Sequence, residues 1–394
     1  MDSARIKSIA VLGYHFNLHI IKSIFTSKKE NQAELFKSYF REDRIAPLTL
    51  EEHEALEAFQ NCVTCGLCPA HCTVMDTAAG KFKGPMHIAA TASRSHPDFV
   101  HDLDSIVLCA VCGQCEPICP EGVPIAEMSA TMRRIIWRVA AEHMPESYRA
   151  AEANLRCEKN VYGKPADFEL PTRDDADTIY VAGPYESARD PESAIKACSL
   201  LEKMGRKVKG IKGGSVGGVA ESLGLTPDRG WLEELARDPA GEIVTSDPEL
   251  WLALSKEKSL EPKSVKSIIH VISEEAEKLG KLKVEGPAVF HLPYPFARGA
   301  DAPDVLGFLR EMGVELTEPD PSGEDSPPLG WEGGIELADP ELAGSLASRR
   351  ASDALRAGAV SIITLCPADR SALRDRESGI RVEYLVDMVY DLLG

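Results

Sequence analysis

Two copies of one cysteine pattern constrain this chain more than any other feature of its sequence. The pattern is Cys-x2-Cys-x2-Cys-x3-Cys, and it occurs at residues 62–72 and again at residues 109–119. Eight of the eleven cysteines belong to these two runs, which leaves Cys157, Cys198 and Cys366 elsewhere. Because this tight spacing brings several thiols to one point, each run predicts a metal-binding loop.

The spacing is typical of ligands to [4Fe-4S] clusters in bacterial ferredoxins, where the fourth cysteine of each run reaches the other cluster. A cubane presents iron corners a few ångströms apart, so a short loop can supply three ligands and the fourth must come from elsewhere. We therefore expect two [4Fe-4S] clusters with crossed ligands. The first would be held by Cys62, Cys65, Cys68 and Cys119, and the second by Cys109, Cys112, Cys115 and Cys72.

Neighbouring residues suit such loops. Gly66 and Gly113 are expected where the backbone passes close to sulfide, and Pro120 ends the second run. Two zinc sites with four cysteines each are the alternative use of eight thiols. Zinc knuckles usually pair two Cys-x2-Cys halves, however, and do not use an unbroken triple followed by a fourth cysteine.

Composition narrows the class of protein. A chain of 394 residues has room for two or three domains, and its net charge of -18 argues against nucleic acid as a partner. With so few cysteines outside the two runs, a reducing compartment is implied. The sequence shows no signal peptide and no apolar stretch long enough to span a bilayer. We expect a cytoplasmic protein or one bound peripherally to the cytoplasmic face of the membrane.

Residues 1–55 are expected to form N-terminal amphipathic helices. Over residues 6–25, apolar side chains such as Ile9, Phe16 and Ile20 share one helical face. That face suits docking in a partner's groove or peripheral contact with an anionic membrane. The alternative is that the helix packs on its own domain. His15 and His19 stand four residues apart, but exposed histidines are a simpler interpretation than a metal or haem site.

Residues 56–145 are predicted to form a small, mostly α-helical module around the two cysteine runs, followed by a linker at residues 146–176. Four histidines near the runs could tune a cluster potential by hydrogen bonding to sulfur, although structural roles are the simpler interpretation. They are His71, His87, His96 and His101.

The C-terminal half contains an internal repeat, predicted as two domains at residues 177–286 and 287–394. Pro184-Tyr185-x-x-Ala188-Arg189 recurs as Pro293-Tyr294-x-x-Ala297-Arg298. Each copy follows a short apolar strand and is followed by a helix that ends in Leu-x-x-Met-Gly. Strands alternating with helices predict mostly parallel sheets. The expected fold class is therefore α+β multidomain, with an α-helical bis-[4Fe-4S] ferredoxin-like module before two duplicated α/β domains.

From about residue 56 onward the chain resembles the iron–sulfur subunits of heterodisulfide reductase, anaerobic glycerol-3-phosphate dehydrogenase and glycolate oxidase. In that family, a two-cluster ferredoxin module precedes two cysteine-rich "CCG" domains, and the order and the internal repeat match here. The resemblance implies that cysteines at the strand ends of those domains can hold a further cluster or a reactive thiol site.

This chain departs from the family pattern because nearly all of those cysteines are replaced. The turns that carry them read Ser215-Val216-Gly217 and Asp247-Pro248-Glu249-Leu250 in the first repeat, and His291-Leu292-Pro293-Tyr294-Pro295, Pro328-Leu329-Gly330 and Cys366-Pro367-Ala368-Asp369 in the second. One remaining thiolate cannot hold a cluster that needs about four ligands. We therefore interpret these degenerate CCG domains as a scaffold.

A ligand site in the scaffold is a second interpretation. Tyr185, Tyr294, Arg189, Arg298 and His291 would converge at the C-terminal ends of the strands and could bind a flavin, a quinone head or a substrate. The alternative is that these tyrosines and arginines fill the space vacated by a cluster and hydrogen-bond each other. The glycine-rich stretch 210–218 is only a weak phosphate-binding signal.

The resemblance implies an iron–sulfur electron-transfer subunit of an oxidoreductase complex, without a substrate site of its own. Two [4Fe-4S] clusters would relay single electrons between a flavin-containing catalytic partner and a quinone-linked membrane subunit or soluble carrier. The alternatives are a heterodisulfide-reductase-like or 2-hydroxy-acid-oxidising subunit with its own site, and a structural assembly subunit.

Overall fold

The computed structural model describes residues 3–25, 32–39, 48–94, 96–213, 218–226, 229–299, 302–374 and 379–394. The chain divides into two compact units, Met1–Pro47 and Leu48–Gly394. The first unit contains helix α1 (Ser3–Phe25), which covers the helix predicted over residues 6–25, and helix α2 (Gln32–Tyr39). No helix within the described ranges is long and apolar enough to cross a membrane.

Short helices surround the cysteine runs at the start of the second unit. A capping box between Thr49 and Glu52 begins the first of them, and Pro85 occupies the first turn of another, where its missing N–H costs nothing. The helices are α3 (Leu50–Glu57), α4 (Leu67–His71), α5 (Thr73–Thr77), α6 (Pro85–Ala92), α7 (His96–His101), α8 (Leu103–Val107), α9 (Ile125–Ala140) and α10 (Glu146–Glu158).

The first sheet has four parallel strands in the order β2-β1-β3-β4, each formed by a short run rich in apolar or β-branched residues. Thr178 of the central strand pairs with Val208 on one side and Glu242 on the other. The elements are β1 (Thr178–Ala182), α11 (Pro184–Arg189), α12 (Pro191–Lys203), β2 (Val208–Lys212), α13 (Val219–Ser222), α14 (Arg229–Arg237), β3 (Glu242–Thr245), α15 (Pro248–Ser255), β4 (Ser264–Ser267) and α16 (Ile268–Glu274).

The second sheet has three parallel strands in the order β5-β6-β7, and a parallel bridge joins Ala288 of β5 to Leu316. The order Leu316, β5, β6, β7 therefore has the same sequence of connections as β2, β1, β3, β4. The elements are β5 (Ala288–Phe290), α17 (Tyr294–Arg298), α18 (Val305–Glu311), α19 (Ile335–Ala338), α20 (Pro340–Arg356), β6 (Ser361–Thr364), α21 (Pro367–Arg374), β7 (Arg381–Tyr384) and α22 (Leu385–Leu392).

The prediction of a mixed helix and sheet fold is confirmed. The stretch expected as a linker contains α10, whose Tyr148, Ala151 and Leu155 are buried in one core with the cysteine-rich region. Such burial is typical of a packed element and not of a free connection. The bounds of the five predicted segments stay predictions.

Arg133 of α9 ties the cysteine-rich region to both α/β regions. Its side chain is fully buried and donates hydrogen bonds to the carbonyl oxygens of Cys109 (2.6 Å), Ser222 (2.5 Å) and Gly333 (2.7 Å), and also to that of Ile106. At Gly333 the backbone has a φ of +65° and a Cβ would lie 2.5 Å from the carbonyl carbon of Ala110. The turn at Gly333 therefore packs directly against the second cysteine run.

Candidate functional site

The two cysteine runs share left-handed backbone turns at two equivalent positions. Gly66 and Gly113 have φ values of +79° and +69°, so the glycines supply left-handed turns. Thr64 and Val111, each two residues before those glycines, also have positive φ, at +53° in both. β-branched residues rarely adopt this conformation, and such outliers occur where a site demands a particular loop shape. No local pattern in the sequence predicted this second pair of turns.

The first group of thiols contains Cys62, Cys65 and Cys68 of the first run together with Cys119 of the second. The pKa of the Cys68 thiol is raised to about 11, first by burial and then by the charges of Cys62, Cys119 and Cys65. Thiolates must be near neighbours to affect one another in this way. The same four cysteines line one cavity, to which Cys115 of the second run also contributes. The fourth cysteine of the second run therefore lies beside the first loop.

The second group contains Cys109, Cys112 and Cys115 of the second run together with Cys72 of the first. Burial raises the pKa of Cys72 to about 12, and Cys112 and Cys109 contribute to the shift. Burial likewise raises the pKa of Cys115 well above its usual value, with contributions from Cys109, Cys112 and Cys72. Four sulfur donors in each group match in number and softness what a [4Fe-4S] cluster requires. The donor set therefore fits the expected cofactor.

Backbone N–H groups point at the fourth sulfur of each run. Met75 N donates to Cys72 Sγ and Val123 N donates to Cys119 Sγ, both at 3.4 Å. Hydrogen bonds to ligand sulfur are one of the means by which a protein tunes an iron–sulfur potential. Hydrogen bonds from nearby histidines to sulfur were considered from the sequence, but two of these histidines pair with carboxylates. His71 pairs with Asp325 at 2.7 Å and His87 with Asp102 at 3.0 Å. The side chain of His96 lies outside the described residues.

The two groups differ in exposure. Cys65 of the first group is exposed, and Val63, Leu67 and Ile118 around it are exposed apolar residues. Cys109 and Cys115 of the second group are only 8% exposed. The first group thus lies at the surface and the second lies deeper.

Arg298 connects the second run to the second α/β region. Its Nε donates to the carbonyl oxygen of Cys112 at 2.8 Å, and its Nη1 donates to that of Ser326 at 3.1 Å. Its positive charge opposes the burial that raises the pKa of Cys112 to about 11. Arg298 was expected to face the cleft between the repeats, and it contacts the cysteine loop instead.

A separate cavity lies at the C-terminal ends of the strands of both sheets. Tyr185 and Tyr294, two of the residues expected to converge there, line it together with Cys366. Arg189 stacks over the ring of Tyr162 at 4.8 Å, and Tyr185 packs edge-on against Trp331. The replaced turn Ser215-Val216-Gly217 lies outside the described residues.

Acidic side chains line the same cavity, and the sequence interpretation assigned them no role. They are Asp247, Glu249, Glu332 and Asp369. Burial raises the pKa of each of them, and the pKa of the adjacent Glu336 is raised to about 8 for the same reason. Asp247 and Asp369 stand in the two turns where the resembling family carries cysteines. That replacement of cysteine by aspartate was the sequence signal from which an acidic site could have been predicted.

His291, Glu332 and Asp369 form a buried group beside this cavity. One ligand atom of each lies within 4.8 Å of the others, and His291 Nε2 is 3.8 Å from Asp369 Oδ2. Burial, with the charges of Arg350 and Arg298, holds the pKa of His291 well below its usual value. The imidazole is therefore neutral at pH 7.

Comparison with known proteins supports the iron–sulfur interpretation of the cysteine runs. Residues 58–123 match the family of 4Fe-4S dicluster domains. One relative is a component of the dihydromethanophenazine:CoB–CoM heterodisulfide reductase of Methanosarcina barkeri; the two sequences are 22% identical, and their alignment covers 84% of this chain and 93% of that protein. Another is a component of the ferredoxin:CoB-CoM heterodisulfide reductase of Methanosarcina mazei, 29% identical over 99 residues, which cover 25% of this chain and 57% of that protein.

The fold also has a relative among solved structures. The crystal structure of a hypothetical protein from Helicobacter pylori matches with a TM-score of 0.55 and 12% identity, covering 92% of this chain and 76% of that one. At this identity the likeness concerns the fold alone. The match to the dicluster domain and the similarity to the two Methanosarcina proteins lead to one conclusion: this chain contains a 4Fe-4S dicluster domain at residues 58–123 and is similar to one heterodisulfide reductase subunit over most of its length and to another over a quarter of it.

Proposed function

We propose that this chain is the electron-transfer subunit of a redox complex and holds two [4Fe-4S] clusters with crossed ligands. Cys62, Cys65, Cys68 and Cys119 would bind one cluster, and Cys109, Cys112, Cys115 and Cys72 the other. When bound, each cluster supplies a one-electron redox centre. The observation that carries the proposal is the gathering of eight thiols into two groups of four, each completed by a cysteine of the other run.

The chain's own residues hold and orient these groups. The left-handed turns at Gly66 and Gly113 shape the two loops, and the N–H groups of Met75 and Val123 donate to the fourth sulfurs. Arg133 and Arg298 fix the carbonyls of the second loop, so that loop is bound firmly to the α/β half. The second group is thereby screened from water.

The exposed group suits exchange of electrons with a partner. Val63 and Leu67 are 59% and 44% exposed beside the exposed Cys65, so an apolar partner surface could approach the first cluster closely. We propose that the donor is a flavin-containing catalytic subunit and the acceptor a quinone-linked or soluble carrier. The relatives' names, which describe heterodisulfide reductase subunits, support a complex of this kind.

We further propose that the two α/β regions are a duplication that has lost the thiol chemistry of the CCG domains. The matching strand connections and the repeated Pro-Tyr-x-x-Ala-Arg motif support the duplication. The protein would then carry no thiol-based substrate site, and it would work in the cytoplasm or at the cytoplasmic face of the membrane.

The test is the metal content of anaerobically purified protein, followed by a redox titration monitored by EPR. We expect about eight irons and eight sulfides per chain in two reducible centres, because each group of four thiols can hold one cubane. Cys112→Ser should lose about half of the iron and one EPR centre, since it removes one ligand of the second group.

Cys157→Ser is the matched control. Cys157 is an exposed cysteine outside both runs, so its replacement should leave iron, sulfide and both EPR centres unchanged. Zinc in place of iron in the purified protein, or a Cys112→Ser variant with both centres intact, would contradict the proposal.

A further inference from the structure

The buried group His291, Glu332 and Asp369 has no part in the proposed electron relay. Its three residues come from separate parts of the second α/β region: His291 follows β5, Glu332 precedes α19, and Asp369 lies in the first turn of α21. Their side chains are 0%, 5% and 3% exposed. Carboxylates are rarely buried to this extent unless they are paired or bind a cation.

His291 gives an independent indication of a ligand. Neither of its ring nitrogens has a hydrogen-bond partner within the described part of the chain, although both are buried. Buried polar side chains nearly always have a partner, so an imidazole without one calls for an explanation. Its Nε2 faces Asp369 Oδ2 at 3.8 Å, a separation too long for a hydrogen bond.

The surrounding backbone holds the group in place. His291 N donates to Ile363 O at 2.9 Å, which fixes the strand end that carries the imidazole. Glu332 Oε2 accepts hydrogen bonds from the backbone N–H groups of Leu329 (2.9 Å) and Gly330 (3.0 Å). These contacts orient the Glu332 carboxylate, and one ligand atom from each of the three residues lies within 4.8 Å of the other two. A site arranged in this way needs little reorganisation to bind an ion.

We propose that His291, Glu332 and Asp369 bind one divalent first-row transition-metal ion, of the class that accepts mixed nitrogen and oxygen ligands, such as zinc. One imidazole and two carboxylates form a frequent ligand set for zinc, and the two carboxylate charges would balance the ion. Four-cysteine sites also bind zinc, so a test of this proposal has to identify the ligand atoms as well as the metal.

Three protein ligands leave a further coordination position for water or a small molecule. Glu332 and Asp369 both line the cavity that Tyr185 and Tyr294 also line. A ligand in that cavity could therefore reach the ion. The inference does not depend on the proposed electron relay, because none of its three residues belongs to the cysteine groups.

The experiment uses the full chain with its iron in place. The protein is incubated anaerobically with zinc chloride and passed through a gel-filtration column. Bound zinc is then measured by mass spectrometry, and its ligands by zinc K-edge X-ray absorption, which is specific for that element. We expect about one zinc per chain with only nitrogen and oxygen neighbours and no loss of iron.

Two isosteric variants test the ligands. His291→Gln and Asp369→Asn should each bind zinc at least about tenfold more weakly, because each removes one ligand. Cys366→Ser and Glu186→Gln are the matched controls: the first changes the thiol that lines the same cavity, and the second changes a buried carboxyl near β1. Both controls should bind zinc and retain iron as the wild type does.

The wild-type spectrum decides the question even if a variant fails to fold. Sulfur neighbours around zinc would show that the metal occupies cysteine sites, and absence of retained zinc would show that no site exists. Either result overturns the proposal, as would undiminished zinc binding in both ligand variants. If the purified protein lacked iron but bound zinc through nitrogen and oxygen ligands, the electron relay would be contradicted and the zinc site would stand.

Discussion

Glu186 is a single residue whose ionisation links pH to stability. It is fully buried, and its carboxyl accepts hydrogen bonds from Tyr180 Oη (2.9 Å) and from the backbone N–H of Gly183 (2.9 Å). Burial nevertheless outweighs these contacts and raises the pKa of Glu186 from 4.5 to about 7. Between these two pH values the folded chain keeps a proton that the unfolded chain has lost. The free energy of unfolding should therefore fall as pH rises through this window and stay level above it.

The prediction is tested with Glu186→Gln, which stays neutral at every pH. Relative to the wild type, this variant should gain up to about 3 kcal/mol between pH 5 and pH 8, the free-energy equivalent of the pKa shift. The measurement is anaerobic denaturation with guanidinium chloride across that range. The opposite trend, or a constant difference, would refute the assignment.

Asp238→Asn is the control for this experiment. The bonds of Asp238 to Lys209 and to the backbone N–H of Ala240 outweigh its burial and lower its pKa below the usual value. Its carboxylate is therefore ionised throughout the range from pH 5 to pH 8, in the folded and the unfolded chain alike, and its lysine partner keeps its charge there. The difference in stability between Asp238→Asn and wild type should accordingly not vary across that window.

At the scale of single elements, helix α1 presents an apolar stripe to solvent. Ile9, Leu12 and Phe16 are 59%, 70% and 64% exposed, and their spacing of three and four residues places them on one face. Such a face suits the docking role predicted from the sequence, on a partner subunit or on an anionic membrane surface.

If helix α1 docks on an anionic membrane, a charge placed in its apolar face should weaken that binding. Phe16→Glu should reduce binding to vesicles that contain phosphatidylglycerol at least about fivefold, because it places a charge in the apolar face. Flotation of the vesicles with bound protein measures the effect. His15→Glu introduces the same charge one residue away and should weaken binding less. Equal effects of the two variants, or wild-type binding after deletion of residues 1–28, would contradict the membrane role.

Local signals in the sequence predicted the individual elements better than their arrangement. The short apolar strand predicted before the first Pro-Tyr motif is β1, Thr178–Ala182, since β-branched and aromatic side chains favour strands. The crossing of Cys72 and Cys119 was predicted from the ferredoxin-type spacing, and the thiols do gather in those groups. Their role as ligands stays a prediction.

The carboxylate group beside the second sheet could not be predicted in the same way. His291, Glu332 and Asp369 are separated by 41 and 37 residues, and only the folding of β5, α19 and α21 brings them together. Local patterns carry no information on such convergence. The replacement of family cysteines by Asp247 and Asp369 was visible, but it was interpreted only as a loss of chemistry.

At the scale of the whole molecule, Arg133 is the contact that joins the cysteine-rich region to both α/β regions. Arg133→Met keeps much of the side-chain volume but leaves the carbonyls of Cys109, Ser222 and Gly333 without this donor. The variant should lose about 3–5 kcal/mol of the free energy of unfolding. Anaerobic chemical denaturation, with iron content measured alongside, gives the value.

Arg134→Met is the matched control on the same helix. Arg134 is 33% exposed and pairs at 2.6 Å with Glu127, which is 55% exposed, so its loss should cost less than about 1 kcal/mol. A similar cost for the two substitutions would show that Arg133 has no special part in joining the regions.

The exchange of fourth cysteines between the runs also bears on how the protein is assembled. Cys72 lies with the thiols of the second run and Cys119 with those of the first, so the last cysteine of each run lies beside the other run. If these thiols bind the clusters as proposed, neither centre can be completed until both runs have been synthesised and brought together. Cluster insertion and folding of residues 62–119 are then coupled, because each centre takes ligands from both ends of this segment.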